Sequence, residues 1–502
     1  MAGVSPVAKK TALIVNAYFG ERRRPIREKV TALRTIAPQH LAGRLAPDRW
    51  RIRLHDEQTQ GPLADTDAVG DPDLLIVTGL TSAFDRMQHV CALVKTRNPG
   101  AVVVAGGPAV RAAPRLAAAR FDYALHGDLE ATDEAVAEAF GADAVAREPA
   151  ARFDLAPWTR RAAYAESSRN CNFRCGFCSM TSEDRPFVRY VPGTIRAQLA
   201  AQPRRDQLIL VDNNFYGPDR TRFGAVMDEL AGLREEGRFR RFGALVTADF
   251  FRDPAHALRA HAAGCRALFC GVESFDPAVL RSWGKHQNVA TSPEDAIGAC
   301  LSVGILPIYG ILLDVIGRSV AELCADVAAL TLRPDGVLPA FIVAPIPSPG
   351  TPFFDACVRE RRLLPRVRLR DLNGSTLCLR GRDPLPELAA MLRDAIVFGG
   401  VRGLALRAAW RAARHPRLDA WQRAVSFARS CTMLRGRERR GPERTHIATT
   451  EPIDRLYSPA CRIAPAYRDW FAPTYLTDAA GDPEPDFIPA TRRSAAELGS
   501  SR

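Results

Sequence analysis

The sequence predicts an α/β protein in three parts: an N-terminal doubly wound parallel sheet, a partial parallel (β/α)6 barrel, and a mainly helical C-terminal region. Three observations carry this. Short β-type runs alternate with helical patterns twice along the chain, the mark of parallel sheets covered by helices. A cysteine triplet follows the strand that opens the second series. From 385 to 440 the pattern turns helical and arginine-rich.

In the first series, residues 11–18, 51–56, 73–79, 101–107 and 121–127 read as strands, with helices between them at Phe84 to Arg97 and Ala131 to Phe140. They fill a domain over 1–145. Ligands of such sheets bind beyond the carboxyl ends of the strands. Here those ends carry Thr78-Gly79, Gly106-Gly107-Pro108 and His126-Gly127, and glycines there let a large flat ligand approach the backbone. Residues 141–160, with Pro149 and Pro157, read as a linker. The second series (162–168, 207–213, 242–248, 266–274, 304–314 and 338–345) fills a domain over 160–380, with its chemistry at the strand C-termini. Asp212, Asn213, Glu273 and Ser274 fall at those ends. The last part, 381–502, is helical to 440. From about 470 onward Pro, Asp, Gly and Ser dominate, which reads as a loose tail.

Bulk properties bound the class. The chain has 502 residues, 47% hydrophobic and 25% charged, a globular balance long enough for two or three domains. Its most apolar stretch, Val337 to Phe354, contains five prolines and a glycine and cannot be one spanning helix. The N-terminus MAGVSPVAKK has no apolar core behind its lysines, so a cytoplasmic protein with no membrane partner is expected. Twelve cysteines are too dilute for a disulfide scaffold. The scattered ones read as small core residues. The net charge of +13 is mostly arginine, with eleven arginines between Arg402 and Arg440 against Asp419 and Glu438. Such a stretch suits nucleic acid or an acidic substrate, but no aromatics are interleaved regularly for stacking, so a solvated helix face is favoured over nucleic-acid binding.

The cysteines Cys171, Cys175 and Cys178 have the spacing Cys-x-x-x-Cys-x-x-Cys. A zinc site would need a second pair or histidines, and none stands nearby. A cubane cluster takes four thiolates, so three leave one iron open for a substrate. Gly176 lets the short loop wrap the cluster, and Phe177 can stack on a flat base beside the open iron. Buried chance cysteines are the alternative, but the Arg and Asn around the triplet are poor core composition.

This pattern resembles the radical S-adenosylmethionine superfamily. The likeness extends to Leu210-Val211-Asp212-Asn213-Asn214-Phe215 at the second strand end, Ala263-Gly264-Cys265 with Cys270-Gly271-Val272-Glu273-Ser274-Phe275-Asp276 at the fourth, and Trp283-Gly284-Lys285-His286-Gln287-Asn288 after it. Pro345-Ile346-Pro347-Ser348-Pro349-Gly350-Thr351-Pro352 stands at the sixth. The N-terminal domain resembles the cobalamin-binding branch through Asp71 to Val77, Val102 to Pro108 and His126 to Glu130. The Asp-x-His-x-x-Gly loop that supplies a histidine to cobalt is absent, since the first strand ends Asn16-Ala17-Tyr18-Phe19-Gly20.

The resemblance, which covers about residues 10 to 355, implies a [4Fe-4S] cluster on the three cysteines. S-adenosylmethionine would lie beside Phe177, Asp212, Asn213, Glu273 and Ser274. Cobalamin would lie at Thr78, Gly79, Thr81, Ser82, Gly106 and Gly107. It implies a reducing partner such as flavodoxin or ferredoxin and methylation of an unactivated centre of a small molecule. Ring closure, oxidation or aminocarboxypropyl transfer without cobalamin is the alternative, and an iron–sulfur sensor binding nucleic acid is a third reading. A methylthiotransferase would need further cysteines in the first domain, which has only Cys91.

Overall fold

In the computed structural model, residues 8–19, 35–156, 162–183, 185–374, 376–395, 398–434 and 459–488 are described. They divide into two compact units. One holds residues up to 156 with 365–373 and 459–488; the other holds 162–364 with 374–434.

The first unit is built on five parallel strands: β1 (Lys10–Asn16), β2 (Trp50–Asp56), β3 (Leu74–Thr78), β4 (Val102–Gly106) and β5 (Tyr123–Ala124). Their order is β2-β1-β3-β4-β5, which places a topological switch point between β1 and β3. The register aligns Asn16 with Thr78 and Thr78 with Gly106, so the predicted ligand-binding ends lie side by side. Leu13, Ile14, Val15, Leu74, Leu75 and Val77 are at most 1% exposed, as befits strands covered on both faces. The two predicted helices have the bounds Phe84–Arg97 and Ala131–Phe140.

The second unit carries six parallel strands in chain order: β6 (Ala162–Ala165), β9 (Gln207–Leu210), β10 (Arg241–Val246), β11 (Cys265–Glu273), β12 (Leu306–Leu312) and β13 (Phe341–Val343). β6 and β13 are its edges, so the sheet is an open partial barrel. A short antiparallel pair, β7 (Ser168–Arg169) with β8 (Val188–Arg189), frames the cysteine loop. Helices Leu385–Ala395, Arg402–Ala412 and Ala420–Leu434 belong to this unit.

The segment 459–488 departs from a loose tail. Leu476 and Thr477 are fully buried, and the Leu476 N–H donates to the Val367 carbonyl. An apolar anchor and backbone pairing order a stretch whose composition alone reads as irregular. Residues 435–440 of the arginine-rich stretch lie outside the described residues. Among the described residues, no helix is long and apolar enough to cross a membrane.

Candidate active site

The cysteine loop is held by its own backbone and by the strand-end segments around it. Asn170 opens it at φ 63°, a left-handed conformation that asparagine tolerates. The Cys175 carbonyl accepts from the Cys178 N–H at 3.0 Å and from the Thr181 hydroxyl at 2.8 Å. The Gly176 N–H donates to the Trp283 carbonyl (2.9 Å), and the Gly176 carbonyl accepts from the Phe353 N–H (3.0 Å). The Asn214 amide donates to the Asn172 side chain at 2.7 Å. Three stretches far apart in sequence, at 214, 283 and 353, are thus stitched to one loop.

Two N–H groups point at the sulfurs. The Phe173 N–H donates to Cys171 Sγ and the Gln287 amide to Cys175 Sγ, each at 3.5 Å. Burial pushes the Cys171 thiol up and that of Cys178 up to about 11, so without a cation these thiols are protonated. A bound metal inverts that preference, because a coordinating thiol gives up its proton. No three His, Cys, Asp or Glu side chains among the described residues share a point where one ion would sit. A multi-iron cluster differs from a single ion in that each thiolate takes its own iron. The donor set and its N–H···S contacts fit such a cluster.

The strand ends differ in what they offer. Asp212 is 1% exposed and turned inward: its carboxylate accepts from Ser167 N–H (3.1 Å), Ser167 Oγ (2.6 Å) and Ser168 Oγ (2.5 Å). Burial raises its pKa. It ties β6 to β9 rather than presenting a free carboxylate. Asn213, next to it, is exposed.

Glu273 closes β11 at φ 61°, where the pairing with β12 shifts register. A left-handed non-glycine beside a bulge costs on the order of 1 kcal/mol and concentrates at functional sites. Its carboxylate is paired with Lys285, the two side chains being 13% and 6% exposed. A Cβ on Gly271 would stand 2.9 Å from Lys285 Nζ and 3.1 Å from the Glu273 carboxylate, so a side chain there would push this pair aside. The Asn288 amide donates to the Gly271 and Val272 carbonyls at 2.6 and 3.0 Å. Ser274 Oγ accepts from the Asp276 N–H (3.1 Å), and Ser274 borders a cavity of about 310 Å³ with Phe275, Asp276 and Arg318. Phe177 is half-buried, edge-on to Trp283 at 5.7 Å, with the Lys285 ammonium 5.8 Å from its ring centre.

Lys285, Gln287 and Asn288, part of the run after the fourth strand, gain their roles only from the structure. The run of polar residues directly after a helix was their signal. Arg189, which donates to Ser167 Oγ and to the Phe215 and Tyr216 carbonyls, had no signal in the sequence.

In the first unit, Gly107 sits at φ +90°, and a Cβ there would stand 2.6 Å from Thr78 Oγ1. The turn itself demands this glycine. Gly106 is different, since its Cβ would meet nothing nearer than Leu125 Cβ at 4.0 Å. Leu80, between Gly79 and the half-buried Thr81 and Ser82, is 63% exposed. An open glycine and an exposed aliphatic chain fit a large, partly apolar ligand. Glu57 and Arg86 form a buried ion pair behind β1, with Glu57 also holding the Tyr18 and Leu63 N–H groups. His89 is 3% exposed, stacked on Phe471 at 4.4 Å, and burial holds its pKa well below the usual value.

The twelve cysteines are unbridged. Cys91, Cys265, Cys270, Cys300, Cys357 and Cys378 pack as core residues, whereas Cys324 is exposed.

No protein-family model matches the chain. It is 24% identical over 289 residues to the hopanoid C-2 methylase of Rhodopseudomonas palustris, covering 53% of this chain and 54% of that protein. It is 24% identical over 359 residues to an uncharacterized methyltransferase of Synechocystis, covering 66% and 64%. The chain thus spans between half and two thirds of the length of these relatives. Among solved structures, the radical S-adenosylmethionine methyltransferase TsrM of Kitasatospora setae superposes with a TM-score of 0.54 at 17% identity, over 71% of this chain and 78% of that one. The cobalamin-dependent S-adenosylmethionine radical enzyme OxsB with aqua-cobalamin gives 0.55 at 14% identity, over 86% and 76%.

Proposed function

We propose that this chain, which shares the fold of cobalamin-dependent radical S-adenosylmethionine enzymes, is itself such an enzyme and methylates an unactivated centre of a small molecule. The carrying observation is the three-thiol loop bound to the strand-end motifs at 214, 283 and 353. Both curated relatives are named as methyl-transferring proteins, which supports the group transferred.

In this reading Cys171, Cys175 and Cys178 hold a [4Fe-4S] cluster. Phe177, Asn213, Glu273 and Ser274 surround S-adenosylmethionine. Thr78, Gly79, Thr81, Ser82, Gly106 and Gly107 carry cobalamin with no histidine on cobalt. When bound, these groups supply one-electron cleavage of a sulfonium and a methyl carrier, the difficult chemistry that cofactors bring to a protein. The chain's own residues orient and shield. Gln287 and the Phe173 N–H donate to thiolates and lower their charge density. Lys285 fixes Glu273 in its left-handed conformation and stands over the Phe177 ring. Asp212 fixes the loop's entry through Ser167 and Ser168 and stays out of ligand contact. A flavodoxin or ferredoxin supplies the electron, in the cytoplasm.

A second reading, radical chemistry without cobalamin, is favoured by Gly107 alone, whose conformation the turn already explains. Anaerobic reconstitution with iron, sulfide and hydroxocobalamin separates the two. Methylation requires that cobalamin stay bound through gel filtration and that S-adenosylhomocysteine appear beside 5′-deoxyadenosine. Iron uptake and S-adenosylmethionine cleavage without cobalamin retention overturn methylation in favour of the second reading. Glu273→Ala is expected to weaken S-adenosylmethionine binding by about tenfold, equivalent to about 1.4 kcal/mol, with iron content unchanged. Unchanged affinity removes Glu273 from the site.

A further inference from the structure

The Arg402–Ala412 helix reverses the usual division of an amphipathic helix. It buries alanines, at 405, 408, 409 and 412, and turns its large apolar residues outward. Leu404 is 38% exposed, Leu406 46% and Trp410 50%. A helix that only had to cover a core would do the opposite. The face continues onto the Ala420–Leu434 helix, where Phe427, 37% exposed, lies edge-on to Trp410 at 6.2 Å. Single exposed apolar residues need no explanation, but Leu406 and Trp410, four residues apart on one side of the helix, and Phe427 against Trp410 form a set, while Leu404 sits on the other flank.

Along the first of these helices the charge has one sign, and Asp419, 3.9 Å from the Arg266 guanidinium, is the first carboxylate beyond it. Between 402 and 418 the chain carries five arginines and no acidic residue. Arg402, Arg407, Arg411, Arg414 and Arg417 are all exposed. Arg411 is anchored to the Thr331 and Arg333 carbonyls at 3.0 Å each, and the Arg414 guanidinium lies 4.2 Å from the Trp410 ring centre. The face is also held firmly: the Gln422 amide donates to the Arg266 and Gly304 carbonyls at 2.7 and 2.8 Å.

We infer that this face docks the enzyme on an anionic lipid surface. Aliphatic and indole side chains that enter the interface, ringed by arginines whose stems bury while their heads meet phosphates, are what a helix lying in a membrane plane needs. Nucleic acid fits less well, because bases stack on open aromatic faces and Trp410 has Arg414 on one of its own. The expectation of no membrane partner rested on the lack of a spanning run, which does not bear on a helix that lies flat. The inference is independent of the proposed chemistry, since Gln422 ties this face to the N-terminal ends of β11 and β12, away from the strand ends that carry the cysteine loop.

The test is flotation of the full-length protein with vesicles of phosphatidylcholine alone or mixed with phosphatidylglycerol. Binding is expected to the mixed vesicles and to weaken with salt. Leu406→Ser with Trp410→Ser should reduce it by at least about tenfold, the loss expected when two apolar anchors go. Arg407→Gln with Arg414→Gln should remove most of its salt dependence. Vesicles with brominated acyl chains should quench tryptophan fluorescence in the native protein and much less in Trp410→Phe. Iron content after reconstitution, measured in every variant, reports on the cluster separately. Three results overturn the inference: no flotation in any mixture; an RNA oligomer that displaces the vesicles and still binds Leu406→Ser with Trp410→Ser; or a dimer that this double variant dissolves while vesicles stay unbound.

Discussion

The two parallel sheets obey one structural logic and furnish their strand ends in opposite ways. In the second unit the ends are crowded with directional groups: thiols with N–H donors on their sulfurs, the Glu273–Lys285 pair, and Asn288 on two carbonyls. In the first unit the ends are shaped mainly by absence, an open Gly106 and an exposed Leu80, with the polar work done out of reach by Glu57 and Arg86. A small charged cluster needs ligands of fixed number and direction. A large flat ligand needs room and a backbone it can approach. The first requirement writes itself into residue identities, and the second hides in glycines that also serve turns.

The sharpest break in this comparison is at the cysteines. Replacing Cys171, Cys175 and Cys178 together by Ala should abolish bound iron and the brown absorbance while circular dichroism keeps its native shape. The loop is held by backbone bonds at Gly176 and Cys175 that no thiol makes. Full iron content in the triple variant would refute the cluster site.

The first unit should respond in stability instead. Arg86→Met leaves Glu57 buried without its cation and is expected to cost about 3–5 kcal/mol in urea unfolding. A loss under about 1 kcal/mol would mean that water reaches the pair.

A pH effect follows at Asp85, whose carboxyl is pushed up to about 6 by burial, with Thr474 and Arg370 opposing the rise. Between pH 4 and 6 the folded form keeps the proton that the unfolded chain has lost. Stability should therefore fall as pH rises through this window, by on the order of 2 kcal/mol, and this one contribution is fully lost above the folded pKa. Asp85→Asn should flatten that slope. An unchanged slope would assign the pH dependence to other groups.

The smallest effect separates the two glycines. Gly107→Ala forces a Cβ into Thr78 at a left-handed φ and should cost roughly 1–3 kcal/mol. Gly106→Ala meets open space and should leave stability unchanged within about 0.5 kcal/mol while lowering cobalamin retention. Equal retention in Gly106→Ala and native protein would make that opening a feature of the fold alone.

Both sheets were legible because buried parallel strands need continuous apolar runs, and helices between them need a 3.6-residue repeat. The Phe84–Arg97 and Ala131–Phe140 helices show how far that carries. The cysteine triplet stands out in the sequence because residues proposed as metal ligands cannot be exchanged for others of similar size. Side-chain direction was not. Asp212 stands at a strand end as expected yet points inward, since whether a strand-end carboxylate meets a ligand or two serine hydroxyls depends on the neighbouring strand. Leu476 and Thr477 sit in a stretch of unstructured composition and are fully buried, because pairing with Val367 gives their backbone a partner. The outward face of Arg402–Ala412 likewise required the fold: periodicity reports that a helix has two faces, and only packing decides that the alanines are the ones inside. Sequence by itself determined which elements form and which atoms can bind a metal, because these depend on local pattern and chemistry. Tertiary structure decided which way polar groups turn and which apolar face stays uncovered, because both depend on neighbours distant in the chain.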